Sequence, residues 1–183
     1  MTAAIINTAF GLMSVEIGDG QITALRFVEN KLLLTQSEVD LEREEDKQVL
    51  ADLKVWLTAY EKGDRERLND LPHVSLSGTA FQKAVWKATT EVAPGETRTY
   101  GELARKVEDG FRASGRDVRV IARSVGTALS KNPILLLVPC HRIVGRDKQL
   151  TGYSGGLEKK AKLLEHEIEV FGRKDRLTDS LFG

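Results

Sequence analysis

The amino-acid sequence predicts an α+β fold, in which a small N-terminal α/β domain precedes a mainly helical domain. Short strand-like apolar runs fill the first 28 positions, and one amphipathic helix follows them. After residue 75 the pattern changes to a series of helices with one short apolar run among them. We place the boundary after the polar segment that ends at Pro72, which gives domains of residues 1–72 and 73–183.

The N-terminal domain is predicted to contain three strands and one helix. Apolar runs between residues 5 and 28 have strand length, and Gly18-Asp19-Gly20 between the last two is a tight hairpin signal. Apolar residues then recur at helical spacing from Val49 to Tyr60, and Gly63 ends the run. Together these elements predict a small α/β unit.

Two helices open the C-terminal domain and a third follows them. The first stops at Pro94-Gly95, and Thr99 with Glu102 forms a capping box that opens the second. The third extends from about residue 117 to 131 and is closed by Asn132-Pro133.

The third helix has an apolar stripe on one side and a basic face of small residues on the other. This second face is thin enough to approach a nucleic-acid backbone closely, and with the preceding helix it matches a helix-turn-helix, in a winged-helix-like domain. The connection over residues 108–116 is longer than usual and is expected to be a turn or a flexible insert. At about 100° per residue the basic face carries Arg119, Arg123, Gly126, Thr127 and Ser130.

A fully apolar run at residues 134–138 predicts a buried strand, and polar residues follow it immediately. Cys140 lies just after this run, where Pro139 restricts the backbone, so a reactive group there would be held rigidly. The last helix has one apolar face, and Glu167 lies at its edge.

Charge is distributed unevenly, although the whole chain has a net charge of zero. Residues 1–72 contain 8 Lys/Arg against 14 Asp/Glu, and residues 81–160 contain 15 against 8. A net of +7 in the second region indicates a polyanionic partner that contacts the C-terminal part only.

The chain contains a single cysteine, which excludes an internal disulfide and a Cys-rich zinc site. There is no signal-peptide pattern and no apolar run near the roughly 20 residues that span a membrane, so we expect an intracellular protein with a reduced thiol. A lone cysteine is most often a small core residue. Here a catalytic thiol is an equal alternative to a core residue, for three reasons. Cys140 lies at a strand end, His141 is adjacent to it, and the basic neighbourhood favours the thiolate.

The string Pro139-Cys140-His141-Arg142-Ile143-Val144, with Asn132-Pro133 before it and Gly152-Tyr153-Ser154-Gly155-Gly156 after it, resembles the active-site signature of the O6-alkylguanine-DNA alkyltransferases. The similarity extends from about Phe81 to Glu167. It implies that Cys140 accepts the alkyl group, that His141 removes its proton through a water, and that Glu167 orients His141.

Further roles follow from the same resemblance. Tyr100 matches the tyrosine that helps to rotate the nucleotide and hydrogen-bonds guanine N3, and Arg123 matches the arginine that fills the gap in the duplex. Asn132 matches the asparagine that connects the recognition helix to the active-site strand. The expected pocket residues are Tyr153, Ser154, Ile143 and Leu129.

The resemblance implies a ribonuclease H-like N-terminal domain and a partner that is double-stranded DNA carrying O6-alkylguanine. Each molecule would act once, after base flipping, since a thioether is a poor leaving group. We expect a monomer that needs no cofactor and no metal, with a cytoplasmic location, or a nuclear one in a eukaryote. Two alternatives are a cysteine hydrolase using Cys140 and His141, and a non-catalytic binder of alkylated DNA, whose known examples lack this cysteine.

Overall fold

Three antiparallel strands begin the chain: β1 (Thr2–Thr8), β2 (Gly11–Gly18) and β3 (Gln21–Phe27), in the order β1-β2-β3. Every second residue of β2 is buried, from Met13 to Ile17, as expected for a sheet with one covered face. Asp19 and Gly20 form the β2–β3 turn with φ values of 51° and 67°, which match the mirror-image turn that the Gly-Asp-Gly motif predicts.

The computed structural model describes residues 2–29, 43–109 and 118–172. Most of the predicted turn or insert at 108–116 therefore lies outside the described residues, and so does the side chain of Arg119.

Helix α1 (Glu44–Lys62) contacts this sheet. Its first turn is acidic, which suits the positive end of the helix dipole, and it ends at Gly63 with φ 73°, as predicted. One face is buried, including Leu53, Trp56 and Tyr60.

The chain forms two compact units, one of residues 1–77 with 133–135 and one of residues 78–132 with 136–183. In the first unit, Leu25 of β3 pairs through its backbone with the segment around Ile134. The division into domains at 72/73 and the ribonuclease H-like architecture of the first domain stay predictions.

The second unit contains α2 (Ala80–Thr90), α3 (Tyr100–Asp109), α4 (Val118–Ser130) and α5 (Leu157–Phe171). The capping box of Thr99 and Glu102 is present, with the Thr99 amide donating to the carboxylate at 2.7 Å and the Glu102 amide donating to the Thr99 hydroxyl at 3.2 Å. Helices α2, α3 and α4 pack against one another, and the buried Trp86 indole donates to the Ala128 carbonyl at 2.9 Å. The predicted α+β fold class is confirmed.

The predicted strand at residues 134–138 is wrong in its conformation, although all five residues are buried. Ile134 and Leu135 bridge to β3, but the chain then turns at Leu136, whose φ is 68°. A 3₁₀ helix at Cys140–Arg142 follows, and two short parallel strands, β4 (Arg98–Thr99) and β5 (Ile143–Val144), pair beside it.

Candidate active site

A cavity of about 410 Å³ in the second unit is bounded by the start of α3, one face of α4 and the loop before α5. Its walls bring together seven of the predicted site residues and Gly152. The lining residues are Tyr100, Gly126, Leu129, Ser130, Cys140, Gly152, Tyr153 and Ser154.

Cys140 is 5% exposed and begins the 3₁₀ helix, where its thiol reaches the cavity wall. The side-chain amide of Asn132 donates both to the Cys140 sulfur at 3.1 Å and to the Val138 carbonyl at 2.8 Å. Asn132 lies two residues after the end of α4, so a single buried amide connects the end of that helix to the cysteine segment.

Burial raises the pKa of the Cys140 thiol above its ordinary value. The Asn132 hydrogen bond and the positive charge of Lys160 act in the opposite direction, but they do not outweigh burial. The expectation that a basic neighbourhood favours the thiolate is therefore wrong for the free protein. Because the resting group is a thiol, the chemistry of this site requires a base.

A buried network of ionisable side chains, formed by His141, Arg142 and Glu167, follows Cys140. His141 Nε2 is 2.8 Å from the Glu167 carboxylate, and both side chains are fully buried. Arg142 binds the same carboxylate through Nε, at 3.0 Å from each oxygen, and through Nη2 at 2.8 Å. The Gly95 amide donates to it at 3.1 Å.

Burial outweighs this network in determining the protonation of His141. Burial alone raises the pKa of Glu167, but Arg142 and His141 outweigh it and hold the pKa far below its usual range. Burial lowers the pKa of His141, and the effect of Glu167 does not restore it. A neutral imidazole that faces a carboxylate must carry its proton on Nε2, so Nδ1 is the basic nitrogen.

Tyr100 is half-buried at the start of α3. Its hydroxyl donates to the carbonyls of Thr151 and Gly152, at 3.2 and 3.4 Å. Burial is the main cause that raises the pKa of this phenol. Tyr100 therefore remains a hydrogen-bond donor at neutral pH.

Tyr153 and Ser154 belong to the loop that closes the cavity. The Tyr153 ring meets the His141 ring edge-on, with centroids 6.2 Å apart. Its hydroxyl is buried, and among the described residues it has no hydrogen-bond partner. Burial raises the pKa of Tyr153 well above its usual value. Ser154 is exposed, and its hydroxyl donates to the Ser130 carbonyl at 3.3 Å.

The remaining predicted residues lie on α4 or behind the cavity. Arg123, Thr127 and Ser130 are exposed on α4, as the helical spacing predicts. Gly126 faces Tyr100, since a Cβ at this position would lie 3.8 Å from the ring. Leu129 is buried on the cavity wall, whereas Ile143 is fully buried and does not line it.

Sequence reasoning gave no role to Arg142 or Lys160, although both are buried. Arg142 belongs to the network around Glu167, whereas Lys160 contacts backbone carbonyls. Lys160 lies three residues after Leu157 and four before Leu164, on the apolar stripe of α5. A cation inside such a stripe is the signal that could have identified it.

Within residues 2–29, 43–109 and 118–172, no group of three or more His, Cys, Asp or Glu side chains is placed to hold a metal ion. No helix in the same ranges has the length and apolarity needed to cross a membrane.

Comparisons with known proteins place the chain in one family. A family model described as 6-O-methylguanine DNA methyltransferase, DNA binding domain, matches residues 80–169. A methylated-DNA–protein-cysteine methyltransferase of Methanosarcina mazei is 39% identical over 123 residues, which cover 67% of this chain and 71% of that protein. This chain belongs to the methylated-DNA–protein-cysteine methyltransferase family.

Other family members agree with this placement. The Haemophilus influenzae relative is 38% identical over 125 residues, which span 68% of this chain and 64% of that protein's length. The crystal structure of Mycobacterium tuberculosis O6-methylguanine methyltransferase matches with a TM-score of 0.69 at 33% identity, covering 92% of this chain and 93% of that one. A structure of the Mycobacterium tuberculosis protein in complex with DNA matches with a TM-score of 0.70 at 31% identity, covering 93% of this chain and 94% of that one.

Proposed function

We propose that this protein repairs DNA by direct reversal, moving the alkyl group of O6-alkylguanine in duplex DNA onto its own Cys140. The observation that carries the proposal is a buried thiol on the wall of a cavity, backed by a fully buried His141–Glu167 pair. O4-alkylthymine would be a weaker substrate. The protein would act as a monomer and without a cofactor.

The reaction would begin with removal of the Cys140 proton. The neutral His141 is suited to take this proton through a bridging water at Nδ1, because Glu167 stabilises the imidazolium that forms. The thiolate sulfur then attacks the alkyl carbon, the S–C bond forms and the C–O6 bond breaks. The electron pair stays with guanine, which leaves as an anion and takes up a proton.

Groups around the cavity would stabilise the leaving base. The Tyr100 hydroxyl would donate to guanine N3, and the Ser154 amide would face O6, where negative charge develops. Tyr153 and Leu129 would contact the base through their apolar surfaces. Ile143 would act from behind the cavity wall, because its side chain is fully buried. The product is a thioether, so one molecule accounts for one lesion.

The exposed face of α4 would bind the minor groove of the duplex. Gly126, Thr127 and Ser130 are small, and the thin surface they form suits a narrow groove. Arg123 would enter the stack to replace the flipped base, and Arg119 would contact the backbone. Asn132 would transmit changes at Cys140 to this helix, since its amide contacts the sulfur directly.

Intact-mass measurement after incubation with duplex DNA containing O6-methylguanine tests the proposal. We expect one added methyl group per molecule in the native protein and none in Cys140→Ser. DNA affinity should stay within a few-fold in the variant, because phosphate contacts dominate binding.

Two results would contradict this function. Transfer retained by Cys140→Ser would remove the cysteine from the mechanism. Product release well beyond one equivalent would indicate a hydrolase instead. A serine variant that binds DNA as the native protein does serves as the control for folding.

A further inference from the structure

Lys160 on α5 is fully buried, and its ammonium group contacts backbone carbonyls. Nζ donates to the carbonyls of Ile143 at 2.5 Å, Thr151 at 2.6 Å and Gly152 at 3.3 Å. Among the described residues, no carboxylate lies within ion-pair distance of it. A buried ammonium is costly unless strong hydrogen bonds replace its water, and three carbonyls fill that requirement here.

The carbonyls of Thr151 and Gly152 also accept hydrogen bonds from the Tyr100 hydroxyl. A carbonyl oxygen has two lone pairs, so it can accept from the ammonium and the phenol together. Gly152 has φ 49°, and a Cβ at this position would lie 3.3 Å from the Tyr100 oxygen. The backbone is therefore built to let the hydroxyl approach.

We propose that Lys160 is a positioning residue for Tyr100, because it holds the carbonyls that the tyrosine hydroxyl must leave in order to bind the substrate base. The inference rests on the proposed function, in which Tyr100 donates to guanine N3. Lys160 touches neither substrate nor sulfur in this role, and it acts through the wall that residues 151–152 form.

The physical reason is the cost of an unsatisfied carbonyl. Among the described residues, Lys160 and Tyr100 are the side chains that donate to Thr151 and Gly152. If the ammonium were absent, rotation of the Tyr100 hydroxyl toward a base would leave both oxygens without these donors, which opposes the rotation. With Lys160 in place both oxygens keep a charged donor, so the hydroxyl can exchange partners.

The pKa of Lys160 is compatible with a charged ammonium group at this buried position. Burial lowers the pKa of Lys160 to about 8, and the negative charge that Cys140 can carry opposes the shift. Other titratable groups of the site are Tyr100, His141, Tyr153 and Glu167. A change in the charge of Lys160 also alters the thiol, so the test must separate the two routes.

A double-mutant cycle of Lys160→Met and Tyr100→Phe separates them. We expect Lys160→Met to lower the saturating single-turnover rate on O6-methylguanine duplex about tenfold, with the DNA Kd within about twofold. In the Tyr100→Phe background the same substitution should change the rate less than about twofold, because the group it positions is gone. Lys162→Met, two residues away at an exposed position, is the matched control and should have no effect.

Different results overturn different statements. An equal loss from Lys160→Met in both backgrounds would overturn the positioning role, since the lysine would then act on the thiol or on the fold. A Tyr100→Phe variant with the native rate would instead contradict the proposed role of the tyrosine.

A second measurement leaves Lys160 intact and covers the case in which Lys160→Met does not fold. Solvent exchange of the Lys160 ammonium protons is followed by NMR in Cys140→Ser, alone and bound to O6-methylguanine duplex. We expect protection in both states, because the three carbonyls stay bound when Tyr100 turns to the base. Rapid exchange in the DNA complex would refute the inference.

Discussion

Arg142 and Glu167 form an ion pair removed from solvent, with exposed side-chain fractions of 6% and 0%. Arg142 binds both carboxylate oxygens and also donates to the Val92 carbonyl at 2.6 Å. Removing two charges from water is costly, and close pairing with further hydrogen bonds offsets that cost. If only one partner is lost, the other charge stays buried without a counter-charge, and nothing offsets its desolvation cost.

We therefore predict that Arg142→Met destabilises the protein by about 3–5 kcal/mol, the range for breaking a buried pair. Urea unfolding with linear extrapolation measures this loss. Lys162→Met is the control, because it removes a cation from an exposed pair with Glu158 on the same helix. Arg142→Met with no greater effect than this control would contradict the prediction.

His141 makes stability depend on pH in a defined range. Its pKa is lowered by burial, so as pH falls through about 6.5 the unfolded chain takes up a proton that the folded protein does not. Stability should be full above that pH and decline below it, with a slope of at most about 1.4 kcal/mol per pH unit. Glu167 adds a loss only at lower pH, since its pKa is held down.

Unfolding free energies of the native protein and His141→Gln between pH 7.5 and 5 check this expectation. The substitution should reduce the slope over that interval. His73→Gln, at an exposed position, should leave it unchanged. Equal slopes in the native protein and His141→Gln would show that this histidine is not the group involved.

At the residue scale, the sequence motif predicted the site residues that it contains. It did not predict the buried side chains outside the motif that hold the site together. Cys140, His141 and Glu167 were identified, and the structure buries all three. Lys160 was missed because a lysine on a helix is usually solvated, and only the folded chain shows which carbonyls replace its water. The direction of the thiol pKa was also wrong, since burial cannot be read from net charge.

At the scale of the secondary-structure elements, local sequence signals predicted the helices and the β2–β3 hairpin correctly. They did not predict the conformation of residues 134–138. Capping residues and a Gly-Asp-Gly turn act over a few positions, so the sequence determines them locally. An apolar run determines burial but not backbone direction. Leu136 adopts a positive φ, a conformation uncommon in residues other than glycine, and tertiary packing of residues 134–138 outweighs that preference.

Helix α4 gives a prediction at this scale. Arg123→Ala should slow repair of duplex DNA much more than reaction with free O6-benzylguanine, because a base that needs no flipping does not need the arginine. Single-turnover rates on both substrates measure the difference. Lys87→Ala removes one charge from an exposed position on α2 and should affect neither rate strongly. Equal losses on both substrates in Arg123→Ala would contradict the proposed role.

At the scale of the whole molecule, opposite charge in the two parts of the chain would allow a protein of zero net charge to bind the DNA that we propose as its partner. Residues 81–160 carry the excess of cations, and the exposed face of α4 belongs to this region. Counterion release depends on the cations that contact phosphate and not on the total charge.

Alkylation of Cys140 should lower the stability of the whole protein. The alkyl group would enter the cavity, so it need not overpack the core, but its bulk beside the sulfur would disturb the hydrogen bond that the Asn132 amide donates there at 3.1 Å. Weakening one such buried bond costs about 1 kcal/mol, which lowers Tm by roughly 2–4 °C at this chain length. Melting before and after stoichiometric reaction measures the change, with hydrogen exchange over residues 118–132 to locate it. Cys140→Ser treated identically is the control, and an unchanged or raised Tm in the alkylated native protein would refute the argument.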